Sequence, residues 1–319
     1  MENSQVVVMY ASYRHWILEG IVRESANAIG LKIRIIWIPV NFRELFAWSV
    51  ITSFKNFLYF WKPVLIVNQK MYITLINFRA TKLWLKFSTR VRIYFTHETN
   101  LENLRNKLET TNFVNRITCF NSRDAKNLRE VVSDSCEVIP AFGAVDRNVF
   151  RPLSKAEGLE SKFVLIAGVS NQRKNPGVIK KVIESNPDIN FVIHGNGWDN
   201  CWPNSERVPA NLEIIKFDFA AHPKLIREAS CLLTLAILEG GPYPTLEALA
   251  SGTPVVATET GWNSEVINDS NGFIVSHTFE LSQIRKALID ALSLKTRVMK
   301  SDLLPQDFNW KRIGRALYL

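Results

Sequence analysis

The sequence predicts two α/β domains in tandem, each built on a buried parallel sheet with crossover helices. Three observations carry this reading. Short β-branched and aromatic runs alternate with longer helical stretches, once in residues 1–146 and again in 147–305. Several of these runs are apolar throughout, as in strands covered on both faces. The join at 139–152, IPAFGAVDRNVFRP, holds two prolines and a glycine without a clear period, which is the composition of a linker. A chain of 319 residues suits two domains of about 150 residues each.

In the first half the strand-like runs are VVVMY (6–10), IRIIWI (33–38), VLIV (64–67), RIYF (92–95), RITCF (116–120) and CEVI (136–139). Stretches such as HWILEGIVRESANAI and SRDAKNLREVV are long enough for helices between them. In the second half the runs are FVLIAG (163–168), NFVIHG (190–195), LEIIKF (212–217), CLLTLAI (231–237), TPVVAT (253–258) and GFIV (272–275). Helices fit at 175–185, 221–229, 243–251, 262–268 and 279–293. Both halves are doubly wound by this pattern. Ligands in such folds bind at the carboxyl ends of the strands, and two facing domains would enclose a central cleft.

The formal charge of +9 is uneven. Residues 1–150 hold 20 Lys and Arg against 12 Asp and Glu, a net of +8; residues 151–319 hold 19 against 18. A basic half suits an acidic partner: a phospholipid surface, a lipid-linked phosphate or a nucleic acid. A solvated basic face is the alternative. The N-terminus, MENSQVVVMY, lacks the basic and apolar regions of a signal peptide. The most apolar stretch, from Leu45, is broken by Lys55, Lys62 and Pro63, so no spanning helix is expected there. The expected location is cytoplasmic, with peripheral attachment to the inner face of a membrane as an option. Cys119, Cys136, Cys201 and Cys231 are scattered, and free thiols in a reducing compartment are expected.

The segment richest in chemistry is CLLTLAILEGGPYPTLEALASGTPVVATETGWNSEVI, 231–267. A buried strand runs into Glu239. Gly240 and Gly241 follow and let backbone approach a ligand. Pro242, Tyr243, Pro244 and Thr245 then open a helix, in whose first turn a proline costs nothing. Gly252 suits the position just past its end. Free amides at that helix start would form an anion site. Glu247 lies inside the helix. Two carboxylates beside an anion site cannot both bind phosphate, and hydroxyl groups are their natural partners. That combination points to a sugar and a ribose. A second segment, FVLIAGVSNQRKNPGVIKKVIE, places Arg173 and Lys174 on a polar loop before a helix, the arrangement of a diphosphate clamp.

These residues resemble the glutamate–seven residues–glutamate motif of retaining GT-B glycosyltransferases, specifically glycosyltransferase family 4, also called glycosyl transferases group 1. The resemblance covers about forty residues from Cys231, with NGFIV behind them. It implies the GT-B fold, two Rossmann-like domains facing a central cleft, with 1–146 on the acceptor side and 147–305 binding a nucleotide-sugar donor. It implies that Glu239 lies against the donor sugar and Glu247 on the ribose, with Gly240 to Thr245 lining the donor. Lys174 falls on the family's lysine. The family's arginine position is Val169 here, and Arg173 is the available substitute. Lys216 and Phe217, at the end of the LEIIKF run, become base neighbours. RIYFTHE puts His97 and Glu98 at a strand end, and the resemblance makes His97 a catalytic candidate. The family often has a glycine pair after the first strand; this chain has ASYRH, so Ser12, Tyr13 and Arg14 become acceptor-side candidates. The tail, 306–319, resembles the terminal helix that packs back on the first domain.

The implied activity is transfer of a sugar from a nucleotide diphosphate to a saccharide or lipid-linked acceptor, with retention, in glycan or polysaccharide synthesis. A nucleotide-sugar epimerase and a non-catalytic binding subunit remain alternatives. No D-x-D pair or His/Cys ligand cluster stands out, so no metal and no further cofactor is expected. No known nucleic-acid motif appears, so no nucleic-acid partner is expected.

Residues 42–92 interleave aromatic and basic side chains: Phe42, Arg43, Trp48, Lys55, Phe57, Tyr59, Trp61, Lys62, Trp84 and Lys86. An amphipathic helix of this composition can lie on a membrane, and packing of most of these aromatics in a core is the alternative. Each basic residue at an anionic surface contributes about 1 kcal/mol. Co-sedimentation should therefore occur with anionic but not neutral vesicles and disappear as salt rises. Charge reversal at Lys55, Lys62 and Lys86 should weaken it. Failure to bind anionic vesicles at low salt would leave a solvated basic face.

Overall fold

The computed structural model describes residues 5–10, 17–38, 65–68, 91–94, 106, 114–153, 162–203, 207–298 and 302–319. The chain divides into two compact units: Met1–Gly143 with Asn309–Leu319, and Ala144–Phe308.

The first unit contains β1 (Gln5–Tyr10), α1 (Ile17–Asn27), β2 (Ile33–Ile38), β3 (Leu65–Asn68), β4 (Val91–Tyr94), β5 (Val114–Cys119), α2 (Ser122–Arg129) and β6 (Glu137–Pro140). Its six strands form one sheet in the order β2–β1–β3–β4–β5–β6. All pairings are parallel. Helix α2 starts where its sequence says it should. The Asn121 side chain accepts from Asp124 N at 2.7 Å, satisfying an amide that the first turn leaves unpaired.

The second unit contains β7 (Val164–Ala167), a 3₁₀ turn at Gln172–Lys174, α3 (Pro176–Glu184), β8 (Phe191–His194), β9 (Leu212–Ile215), α4 (His222–Glu228) and β10 (Cys231–Thr234). It continues with α5 (Tyr243–Ala250), β11 (Val255–Thr258), α6 (Asn263–Val266), β12 (Gly272–Val275) and α7 (Leu281–Val298). The sheet order is β12–β11–β10–β7–β8–β9. All pairings are again parallel. Strands β7, β8 and β11 are buried along their whole length, as their unbroken apolar runs required. Burying each large aliphatic or aromatic side chain of this core contributes about 1.5–3 kcal/mol.

The winding of this sheet reverses between β7 and β10. Consecutive strands run outward from β7 through β8 to β9, and from β10 through β11 to β12. Such a reversal is the switch point at whose carboxyl edge doubly wound sheets bind their ligands.

Two strands end two or more residues before their apolar runs do. LEIIKF stops at Ile215 because Phe217 N donates to the Asn196 side chain at 3.3 Å instead of extending the ladder. CLLTLAI stops at Thr234, and further on Ile237 N donates to Arg173 O at 2.8 Å in the neighbouring loop. Both departures free backbone at the carboxyl edge for other partners.

The terminal helix α8 (Trp310–Tyr318) belongs to the first unit and packs on α1. Asn309 caps it by accepting from Arg312 N at 3.1 Å. Tyr318 Oη donates to Val22 O at 2.8 Å, and Thr118 Oγ1 of β5 donates to Ala316 O at 3.2 Å. Gly314 is the contact point, since a Cβ there would lie 2.3 Å from Ser25 O. Among the described residues no helix is long and apolar enough to cross a membrane. Gly314→Ala should force α8 away from α1 and lower the stability of the first unit by about 1–3 kcal/mol. Chemical denaturation should read this as a lower midpoint.

Candidate active site

The loop after β7 presents two cations on a fixed turn. Asn171 caps the 3₁₀ turn by accepting from Lys174 N at 3.3 Å. Asn175 follows in the left-handed region, φ 57°, which asparagine tolerates better than most residues, and Pro176 starts α3. Gly168 takes φ 115°, which favours glycine, and a Cβ there would make only ordinary contact, 3.7 Å, with Lys174 Cε. The end of β8 holds the base of this loop. Trp198 Nε1 donates to Gly168 O at 2.7 Å, and a Cβ on Gly195 would meet the same oxygen at 1.9 Å.

The loop after β10 brings Glu239 against these cations. Lys174 Nζ lies 2.7 Å from Glu239 Oε1, and Arg173 Nη1 lies 3.6 Å from Oε2. The lysine contact is ionic: Oε1 is enclosed and accepts no well-aligned hydrogen bond. Two cations on one carboxylate leave a net positive charge beside a mostly buried acid. That is a suitable place for an anion. The Arg173 side chain is 41% exposed against 16% for Lys174, so Arg173 keeps more of its donors turned outward.

Gly241 lies under Trp262, where a Cβ would come 2.1 Å from the indole ring. The same indole donates to Pro242 O at 3.3 Å. Tyr243 meets it edge-on, with centroids 5.3 Å apart. Burial, reinforced by the nearby Glu247 charge, pushes the Tyr243 phenol well above its ordinary range, so it stays protonated. The start of α5 offers fewer free amides than the sequence suggested. Pro244 has none, and Thr245 N already donates to Pro242 O at 3.0 Å. The Thr245 hydroxyl is also committed, donating to Asn263 Oδ1 at 2.9 Å. Thr245 thus holds α5 to α6.

Glu247 has a partner that sequence reasoning missed. Its Oε2 lies 3.0 Å from His222 Nε2. His222 Nδ1 lies 3.0 Å from His194 Nδ1, and His194 Nε2 accepts from Asp218 N at 3.0 Å. The Phe217 ring stacks on His194, with centroids 4.9 Å apart. Phe219, 77% exposed, stands edge-on to Phe217. Lys216 is exposed beside them. His194 was visible only as part of a strand, and no local spacing ties His222 to Glu247.

Arg173, Lys174 and Glu239 are thus brought together, and Gly240 to Thr245 connect them to the helix carrying Glu247. Ser12, Tyr13, Arg14, His97 and Glu98 lie outside the described residues. So do the interleaved aromatic and basic residues of 42–92. Among the described residues no group of three or more His, Cys, Asp or Glu side chains could hold a metal ion. Cys119 and Cys231 are buried, and Cys136 and Cys201 are half-buried.

Residues 151–302 match the family described as Glycosyl transferases group 1. The second unit carries a glycosyl transferases group 1 domain. No curated protein sequence matches the chain. Among solved structures, the chain is similar to the Anabaena protein HepE in complex with UDP-glucose, at 12% identity and a TM-score of 0.74, covering 98% of each chain. It is similar to a sucrose-phosphate synthase from Thermosynechococcus elongatus, at 13% identity and a TM-score of 0.68, over 98% of this chain and 95% of that one. It is also similar to the lipopolysaccharide outer core galactosyltransferase WaaB, at 11% identity and a TM-score of 0.67, over 98% and 99%. The architecture is the α/β GT-B fold, with Rossmann-like units on parallel sheets.

Within the group 1 domain, the Gly241–Trp262 contact fixes the loop that carries Glu239. Gly241→Ala should displace the indole, lower stability by about 1–3 kcal/mol and lower the denaturation midpoint of the second unit.

Proposed function

We propose that the protein is a retaining, metal-independent glycosyltransferase, moving a sugar from a nucleotide diphosphate to a saccharide or lipid-linked acceptor in glycan synthesis. The observation that carries this is the meeting of Lys174 and Arg173 with Glu239 across the point where the second sheet reverses. The group 1 domain in the same residues supports it. HepE is described with UDP-glucose, which makes UDP-sugars the first donors to test.

In this reading Lys174 and Arg173 hold the donor diphosphate. Glu239 accepts hydrogen bonds from the donor sugar, and Glu247 from the ribose. The bond between the anomeric carbon and the phosphate oxygen breaks as the acceptor oxygen bonds to that carbon on the same face. The acceptor proton passes to the departing phosphate oxygen. Charge develops on the diphosphate, so the two cations supply the main stabilisation of the transition state. His97 is assigned a catalytic role, and Glu98, Ser12, Tyr13 and Arg14 are assigned to the acceptor side.

The test is a panel of nucleotide sugars with saccharide and lipid-linked acceptors. Released nucleotide diphosphate with transferred sugar is expected. An isomerised donor, or binding without turnover, would overturn the proposal. Lys174→Ala should lose at least about tenfold in kcat/KM, since a charge-assisted contact is worth about 1.5–3 kcal/mol. Arg173→Ala should lose a similar factor if it replaces the arginine absent at Val169. Glu247→Gln should weaken free nucleoside diphosphate and donor alike, whereas Glu239→Gln should spare the nucleotide and damage turnover. Calorimetry with the diphosphate separates these two, and equal loss of affinity in both would refute the division of roles.

A further inference from the structure

Three side chains and one amide behind the donor residues form a hydrogen-bonded chain whose direction is set by its first member. Asp218 N can only donate, so His194 Nε2, 3.0 Å away, must carry a lone pair. A neutral His194 then bears its proton on Nδ1. That proton faces His222 Nδ1 at 3.0 Å, which must accept it. The His222 proton is left on Nε2, 3.0 Å from Glu247 Oε2, to which it donates. One amide at the end of β9 thereby fixes both imidazole tautomers and delivers a single donor to the carboxylate.

The members come from separate elements: His194 ends β8, Asp218 follows β9, His222 begins α4 and Glu247 lies in α5. Both imidazoles are almost fully enclosed, with His194 at 0% and His222 at 7% exposure. Ring packing fixes their planes: Phe217 stacks on His194, the His194 and His222 rings lie side by side within 25° of one plane at 5.2 Å between centroids, and Phe150 meets His222 edge-on at 6.1 Å between centroids. The carboxylate therefore has one oxygen held by an imidazole N–H donor.

We propose that His222 and His194 are positioning residues that orient the Glu247 carboxylate toward the ribose hydroxyls of the bound nucleotide, with the Asp218 amide setting the direction of the chain. The proposal rests on the donor reading above. It adds that nucleotide affinity depends on two residues that do not touch the nucleotide.

The chain has no place for an extra proton. Protonating His194 sets its Nε2–H against the Asp218 N–H. Protonating His222 sets its Nδ1–H against that of His194, and the conflict can only be passed on to Asp218. Burial first, and then the neighbouring His222, hold His194 below its ordinary range; the Asp218 carboxylate opposes them. The other ionisable groups packed here are Glu247 and the protonated Tyr243 phenol. A depressed histidine keeps the chain intact above its unfolded value of about 6.5 and loses it as pH falls through the lower folded value.

The test is calorimetric titration of the wild type, His222→Phe, Glu247→Gln and the double variant with UDP, GDP and ADP, each beside its 2′,3′-dideoxy counterpart. Phenylalanine keeps the ring packing and removes the donor. His222→Phe should weaken the ribonucleotide about three- to tenfold and leave the dideoxynucleotide within about twofold. It should add no further loss to Glu247→Gln. The ratio of ribo- to dideoxynucleotide affinity, in which phosphate titration cancels, should fall on the acid side in the wild type and stay flat in His222→Phe. Equal loss of both nucleotides, or losses that add in the double variant, would overturn the inference and leave the donor reading standing. A wild type that binds none of the nucleotides would overturn the donor reading and this inference with it.

Discussion

The ion pair between Lys174 and Glu239 constrains the second unit strongly, because the acid it neutralises is 9% exposed and has lost most of its water. An uncompensated buried charge costs about 3–5 kcal/mol, comparable to much of a domain's stability. The loops after β7 and β10 must therefore stay together, and they can do so only if those strands are neighbours. The doubly wound order supplies that adjacency. Trp198 and Gly195 hold the backbone beneath the lysine, and the Ile237 N to Arg173 O bond joins the loops directly. The sheet reversal and the charge held beside it are one feature.

The two glutamates of the motif are held in opposite ways. Glu239 sits between cations, which lowers the cost of keeping it charged beside an incoming anion. Glu247 lies 3.0 Å from an imidazole nitrogen of His222, a contact that restrains its geometry without a second fixed cation. A carboxylate in a positive surrounding suits a site shared with phosphate. A carboxylate oriented by a neutral hydrogen bond suits hydroxyl donors.

The strands were legible because their signal is local. Each of the twelve apolar runs lies on a strand of the two parallel sheets. The loop cations and the glycine pair were legible because they lie next to strand ends. What escaped the sequence is held by contacts distant in the chain. His222 meets Glu247 across 25 residues and His194 across 28, and neither separation matches a helical or strand period. Trp262 over Gly241 is another such case. The ends of β9 and β10 were misjudged for a related reason. Hydrophobicity continues past Ile215 and Thr234, but the backbone there has exchanged its ladder partners for Asn196 and Arg173. The helix-start amides were overcounted because the turn from Pro242 to Thr245 closes on itself, which a proline-rich sequence does not announce.

The exposed Val169 bears on how positive charge is kept in this site. The resemblance places an arginine there, on a loop leaving a strand, whereas this chain has a valine that is 54% exposed. Arg173 stands four residues later on the 3₁₀ turn, beside Lys174 and within 3.6 Å of the same carboxylate. Both cations thus lie on one rigid turn capped by Asn171, and the position of one fixes that of the other. Their exposures differ. Lys174, enclosed and 2.7 Å from Glu239, ties the loops together as well as lending its charge to the proposed diphosphate site, and the Arg173 side chain, 41% exposed, is more open to solvent. In that proposed site a guanidinium's planar fork can hold two phosphate oxygens at once, while an ammonium acts as a compact point charge.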